Sequence, residues 1–365
     1  MIDSKISKQI LTVAPEYKGY RGGIGAIVNA YSCYFSPFHF IATYPKAKTK
    51  YKLGSLPLYL YAYCRIALKL FLNNDIKLVH IHVAPKGSFY RKYGVFLLVK
   101  YVFKKKVVFH SHGGGLKDFY LKNNRITKRM FEHFVKGVDS IICLSPQWRS
   151  FYEMNFNVKN TIILENIVER PKIDTPFTQK TSVSFLFLGF IGKNKGIYDL
   201  IDVIYQNKLK LAGKAKFYIG GNGEVERIID LIEKYRLQET VEFIGWVDGT
   251  KKNRVLSSSD VYLLPSYKEG LPVSILEAMS YSKPIISTNV GGIPEIVHDG
   301  RNGYLISPGD KLALWKSIKY FIEYPDSIGA MGEISRKLVE PYFSDNVIAK
   351  LETVYAKVLQ DDSGS

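Results

Sequence analysis

An α/β fold built as two Rossmann-like domains is what this sequence predicts. Three observations predict it. Short continuous apolar runs alternate with helix-length segments along the whole chain. That alternation stops once, at a polar stretch with two prolines, and then restarts. The length of 365 residues, 46% apolar and 23% charged, supplies two ordinary cores. Continuous apolar runs separated by helices mark parallel strands covered on both faces.

The elements follow in order. Ile10–Ala14 reads as a first strand, ended by Pro15. Residues 39–44, ended by Pro45, and Leu78–Val83, stopping short of Pro85, read as the second and third. Lys106–Ser111 runs into Gly113–Gly115, and 140–144 runs into Ser145-Pro146. Residues 161–165 make a sixth strand. Residues 171–182, with Pro171 and Pro176, read as a linker between domains spanning 1–170 and 183–339. The second domain offers strands at 184–189, 216–219, 240–244, 261–265 and 284–287. Residues 340–360 read as helices expected to pack back on the first domain.

Charge is divided unequally. Residues 1–180 hold 29 Lys and Arg against 10 Asp and Glu, whereas 181–365 hold 22 against 23. A one-sided basic field points to an anionic partner. Residues 56–72 and 89–106 mix apolar and aromatic side chains with Arg65, Lys69, Arg91, Lys92, Lys100 and Lys104 to Lys106. They read as interfacial stretches that snorkel their cations toward an anionic membrane. No nucleic-acid-reading motif accompanies the charge, so nucleic acid is not expected as a partner. No run of about 18 uncharged apolar residues occurs, and the start of the chain is polar. A cytoplasmic protein, peripheral on the inner face of the cytoplasmic membrane, is expected. Cys33, Cys64 and Cys143 are scattered and odd in number, which fits free thiols rather than a disulfide framework.

In open α/β sheets, ligands bind beyond the carboxyl ends of the strands. Residues 265–277, Pro-Ser-Tyr-Lys-Glu-Gly-Leu-Pro-Val-Ser-Ile-Leu-Glu, hold such a position. Glu269 lies in a loop beside Gly270, and Glu277 lies one turn into the following helix. A helix start favours an anion while a carboxylate holds ligand hydroxyls.

Two glutamates eight apart in this setting resemble the E-x7-E motif of family 4 glycosyltransferases. Residues 287–295, Asp299-Gly300, Asn302-Gly303, 187–196 and Phe243-Ile-Gly-Trp246 are similar to that family in order and spacing. The resemblance is close over 184–345 and looser before it. It implies a GT-B architecture with an interdomain cleft and a retaining transfer of sugar. The donor would be a UDP- or GDP-sugar. The acceptor would be a lipid-linked saccharide of cell-surface polysaccharide assembly. Glu277 would bind ribose hydroxyls, Glu269 the transferred sugar, and Lys195 the diphosphate, with Gly270 and Leu271 offering backbone N–H groups. A fixed cation and helix-start amides can stabilise a departing diphosphate without a metal, so no cofactor is expected. The family's usual arginine after the strand glycine is replaced by Phe190, which leaves Lys193 as the nearest added cation. No carboxylate stands out as a nucleophile, and the family implies a front-face route in which the departing phosphate helps deprotonate the acceptor.

The first domain supplies the other site residues. Gly23 sits in the loop Tyr20-Arg-Gly-Gly-Ile-Gly25, a tight turn after the first strand that resembles the family's glycine loop beside the donor phosphates, and Arg21 adds charge on the acceptor side. His112, at the end of the fourth strand, is similar to the family's active-site histidine. His82 is a further acceptor-side candidate, and His110 reads as part of the sheet. The alternative from another class is a degenerate GT-B protein that docks on anionic membrane without catalysis. A nicotinamide-dinucleotide enzyme is disfavoured, because no G-x-G-x-x-G follows the first strand.

Overall fold

The computed structural model describes residues 1–19, 23–43, 55–112, 115–171 and 182–360. The chain divides into two compact units, 1–167 with 344–365, and 168–343.

The first unit holds six strands: β1 Ile10–Ala14, β2 His39–Ala42, β3 Leu78–Val83, β4 Lys106–Ser111, β5 Ser140–Cys143 and β6 Thr161–Ile163. Their order is β2-β1-β3-β4-β5-β6, with every pairing parallel. β1 and β3 are buried along their full length, as a sheet covered on both faces requires. The abundant aromatics have a packing role here. Phe89, Phe96, Phe109, Phe131, Phe134 and Tyr152 lie in one buried cluster, each contributing about 1.5–3 kcal/mol of burial. The last helix, Ser344–Gln360, belongs to this unit. The Tyr355 hydroxyl lies 2.6 Å from His80 Nδ1, and Lys350 pairs with Glu165 at 2.8 Å.

The second unit holds β7 Val183–Ile191, β8 Ala215–Gly223, β9 Val241–Gly245, β10 Val261–Leu264, β11 Ile285–Thr288 and β12 Gly303–Ile306. The order is β12-β11-β10-β7-β8-β9, again all parallel. This is the doubly wound order in which a nucleotide crevice opens where the winding reverses, between β7 and β10. β12 is an element that apolar runs did not reveal, because its middle residues, Tyr304 and Leu305, are only half-buried at the sheet edge. β8 extends four residues beyond its apolar run, through Gly220 to Gly223. There the bare backbones of β7 and β8 approach so closely that a Cβ on Gly221 would stand 1.8 Å from the Gly189 carbonyl oxygen.

Two expectations about the basic stretches are corrected. Lys92 does not snorkel. It points inward from the helix Gly87–Leu97 and is fully buried. Lys100 pairs with Asp139 at 2.8 Å. The helix Ser55–Leu72 does keep an outward apolar face, with Tyr61, Leu68, Phe71 and Leu72 exposed beside Arg65, while Ala62, Ile66 and Leu70 turn inward. No helix among the described residues is long and apolar enough to cross a membrane. Cys33 and Cys64 are exposed free thiols and Cys143 a buried one.

Candidate functional site

The second unit gathers its chemistry where the winding reverses. After β7 comes a single 3-10 turn, Lys193–Lys195, closed by Gly196 at φ +69°. That turn lies so close to the end of β10 that a Cβ on Gly196 would stand 1.9 Å from the Pro265 carbonyl oxygen. The Tyr267 N–H donates to the Asn194 carbonyl at 2.9 Å, locking the two loops together. The result brings Lys195 to Glu269, with Lys195 Nζ donating to Glu269 Oε1. The Ser266 hydroxyl donates to the same oxygen at 2.7 Å. Glu269 is 9% exposed and Lys195 26%, so the pair lines the surface without being sealed.

The Gly291–Gly292 turn supports the Glu269 loop from behind. Gly291 takes φ +57°, and a Cβ there would stand 2.2 Å from the Glu269 carbonyl oxygen. The Gly292 N–H donates to the Gly270 carbonyl at 2.6 Å. Leu271 is buried beneath the loop. The helix Val273–Ser280 then starts after Pro272 without a side-chain cap, which leaves its first amides as an anion site. Glu277, one turn in, accepts from Lys252 Nζ at 2.5 Å. Lys252 and Ser266 are site residues that sequence reasoning missed. Lys252 lies 25 positions from Glu277 on another helix, with no pattern to link them.

Tyr262 lies fully buried beside both acids. Its phenol is pushed up by burial, and by the charges of Glu277 and Glu269. Its hydroxyl donates to the Leu188 carbonyl at 2.8 Å, so it serves as a brace under the two carboxylates. Lys193 is exposed at the rim. Phe190, about half exposed, covers Gly192 and Gly223, where added Cβ atoms would meet its ring at 2.8 and 2.9 Å.

The first unit presents a different constellation. His80 and His82 on β3 and His110 on β4 are fully buried, with His112 just beyond β4. The four rings pack as one column, with neighbouring centroids 4.4 to 5.2 Å apart. His82 Nδ1 lies 2.7 Å from His112 Nε2. Burial pushes the His112 imidazole down to about 3, helped by the nearby charge of Lys92. Burial and the charge of His112 do the same to His80. His82 and His110 are held well below the ordinary range, mainly by burial. The column is therefore neutral at pH 7. Lys92 donates to the Thr43 hydroxyl, and burial, with Arg91 adding, pushes its ammonium down to about 7. Gly23 opens the helix Gly23–Ser32, with open space where a Cβ would stand. Arg21 lies outside the described residues, as does the linker over 172–181.

Residues 170–338 match the family model described as glycosyl transferases group 1, and the match falls inside the second unit. Among curated relatives, N-acetyl-alpha-D-glucosaminyl L-malate synthase of Bacillus anthracis is 33% identical over 172 residues, 47% of this chain and 44% of that protein. A putative colanic acid biosynthesis glycosyltransferase of Escherichia coli is 32% identical over 177 residues, 46% of this chain and 43% of that one. The chain thus matches less than half the length of either relative. Among solved structures, Anabaena HepE in complex with UDP and glucose shares the fold at a TM-score of 0.71 and 16% identity, over 98% of this chain and all of that one.

Proposed function

We propose that this protein is a retaining glycosyltransferase that moves a sugar from a UDP- or GDP-sugar to a lipid-linked saccharide at a membrane surface. The observation that carries the reading is the pairing of Lys195 with Glu269 beside an uncapped helix start, at the point where the winding of the second sheet reverses. The match of that unit to group 1 glycosyl transferases, and the likeness to a fold solved with UDP and glucose, support it.

In this reading the donor diphosphate displaces Glu269 from Lys195. Lys195 and the amides at the start of the helix Val273–Ser280 then hold the phosphates, with Lys193 adding charge from the rim. As the glycosidic bond breaks, negative charge accumulates on the departing diphosphate, and a fixed cation stabilises that charge most in the transition state. Glu277 exchanges Lys252 for the ribose hydroxyls. Glu269 accepts hydrogen bonds from the transferred sugar near the Gly270 and Leu271 backbone. His112, neutral and oriented by His82, donates or accepts one hydrogen bond to the sugar or acceptor. Gly23 borders the donor phosphates, and Arg21 and His82 lie on the acceptor side. This scheme assigns no step to a metal.

The exposed apolar face of Ser55–Leu72 and the basic first half of the chain support docking on an anionic bilayer. Substituting Phe71→Glu is expected to release the protein from vesicles containing phosphatidylglycerol, and unchanged binding removes that face from the reading.

A donor panel tests the activity. Nucleotide release is followed with UDP- and GDP-sugars, with and without bacterial lipid extract, for wild type and Glu277→Ala. Release from one donor, raised by lipid and lost in Glu277→Ala, is expected. Vesicle binding without release from any donor selects the non-catalytic membrane module that Phe190 motivates.

A further inference from the structure

Two buried imidazole nitrogens in the first unit, His82 Nε2 and His110 Nε2, have no hydrogen-bond partner. So does the buried hydroxyl of Tyr31. The Tyr31 ring neighbours the histidine rings, 6.4 Å from His80, 6.1 Å from His82 and 6.4 Å from His110. Leaving three polar atoms desolvated and unpaired costs about 1–3 kcal/mol each. Such a concentration is explained when something occupies the space.

We propose that His80, His82 and His110 form a binding site for a divalent transition metal, zinc being the best fit, inside the core of the first unit. One ligand atom from each of the three residues lies within 4.8 Å of the others, and ligation requires the near-parallel rings, 8–30° apart, to rotate so that their in-plane lone pairs converge. Imidazole suits zinc and its neighbours in the first transition row, and it must be neutral to ligate.

Metal-ligating histidines almost always donate their second ring N–H to a fixed partner, which sets tautomer and orientation. Two of these three have such partners. His80 Nδ1 faces the Tyr355 hydroxyl at 2.6 Å, and His82 Nδ1 faces His112 Nε2 at 2.7 Å. Each arrangement leaves Nε2 for the metal. His80 Nε2 now lies 3.1 Å from His110 Nδ1, a contact that metal binding would replace.

The site has a consequence for His112. With its Nε2 on a metal, neutral His82 carries its proton on Nδ1 and donates to His112 Nε2. His112, neutral, then carries its own proton on Nδ1. The metal would thus set the hydrogen-bonding role of a residue that the proposed transferase reading places at the sugar. The binding itself does not rest on that reading.

The test refolds the chelator-treated, full-length chain with Zn2+ or Co2+, removes excess by gel filtration, and counts metal by mass spectrometry. One equivalent per chain is expected, with X-ray absorption showing three imidazole nitrogens at about 2.0–2.1 Å. His82→Gln and His110→Gln should each lose that metal, while exposed His133→Gln keeps it. Should the two core variants fail to fold, the wild-type stoichiometry and absorption spectrum decide alone. Folded wild type without metal, its orphan atoms satisfied by water, overturns the proposal. Metal retained by folded His82→Gln and His110→Gln, or a spectrum without imidazole ligands, overturns it too.

Discussion

Both units are built on six parallel strands, yet they treat charge at the candidate site in opposite ways. In the second unit each acid has a lysine, Glu269 with Lys195 and Glu277 with Lys252, and the pairs stay open to solvent. In the first unit the histidine column and Lys92 stand without a carboxylate partner among the described residues. Four imidazoles form a neutral column, and Lys92 meets a threonine hydroxyl with no carboxylate against it among the described residues. Each pair in the second unit keeps solvent access mainly through its lysine, 26% and 29% exposed, so a ligand can reach the cation. The comparison teaches that the second unit places charge in partly exposed lysine–carboxylate pairs, whereas the first buries neutral donors and acceptors.

The sharpest way to break this comparison is Lys195→Ala. In the proposed transferase scheme Lys195 meets the developing charge, so its loss should lower turnover about 10²–10³-fold, measured with the donor identified in the panel, while the melting temperature barely moves. A large stability loss with intact turnover would make the pair structural after all. Next comes Glu277→Ala, which removes hydrogen bonds from a charged acceptor. A rise in donor KM of about 10–100-fold is expected from a loss of roughly 1.5–3 kcal/mol, and nucleotide binding by calorimetry checks it.

Acid sharpens the comparison differently. His80 and His112 are held near 3 in the folded chain against an ordinary 6.5. The unfolded chain therefore binds more protons than the folded one between those values. Stability is fully present above about pH 6.5 and falls as the pH drops toward 3, by up to about 1.4 kcal/mol per pH unit for each such histidine. The second unit has one histidine, His298, and no such column. Hydrogen exchange at pH 5 should show the first unit opening before the second, and simultaneous opening would contradict the assignment of the column.

The smallest effect concerns Phe190. Restoring a cation with Phe190→Arg should raise turnover severalfold, up to about tenfold for one added charge-assisted hydrogen bond. Unchanged turnover would mean that Lys195 and Lys193 already suffice.

Much of the fold was legible because its signals are local. β1, β3 and β4 have the limits that apolar runs and Gly or Pro stops predict. Continuous burial in a parallel sheet writes itself as continuous hydrophobicity. β12 was missed because an edge strand needs less of it, and the end of β8 because glycines carry no apolar signal. In the site, Glu269 and Glu277 were legible through their setting, a loop glycine and a helix start. Their lysines were less so. Lys195 lies 74 positions from Glu269, and Lys252 came without any pattern.

What the sequence determined by itself, then, is the succession of strands and helices, the restart after the proline-bearing stretch, and the carboxylates beside a helix start. Each follows from steric and hydrophobic preferences that act over a few neighbouring residues. Only tertiary structure decided that Lys92 turns inward, that four histidines from two strands form one column, and that Tyr355 meets His80 from 275 positions away. Burial and proton affinity depend on what the folded chain brings near a group from elsewhere, and no local pattern carries that information.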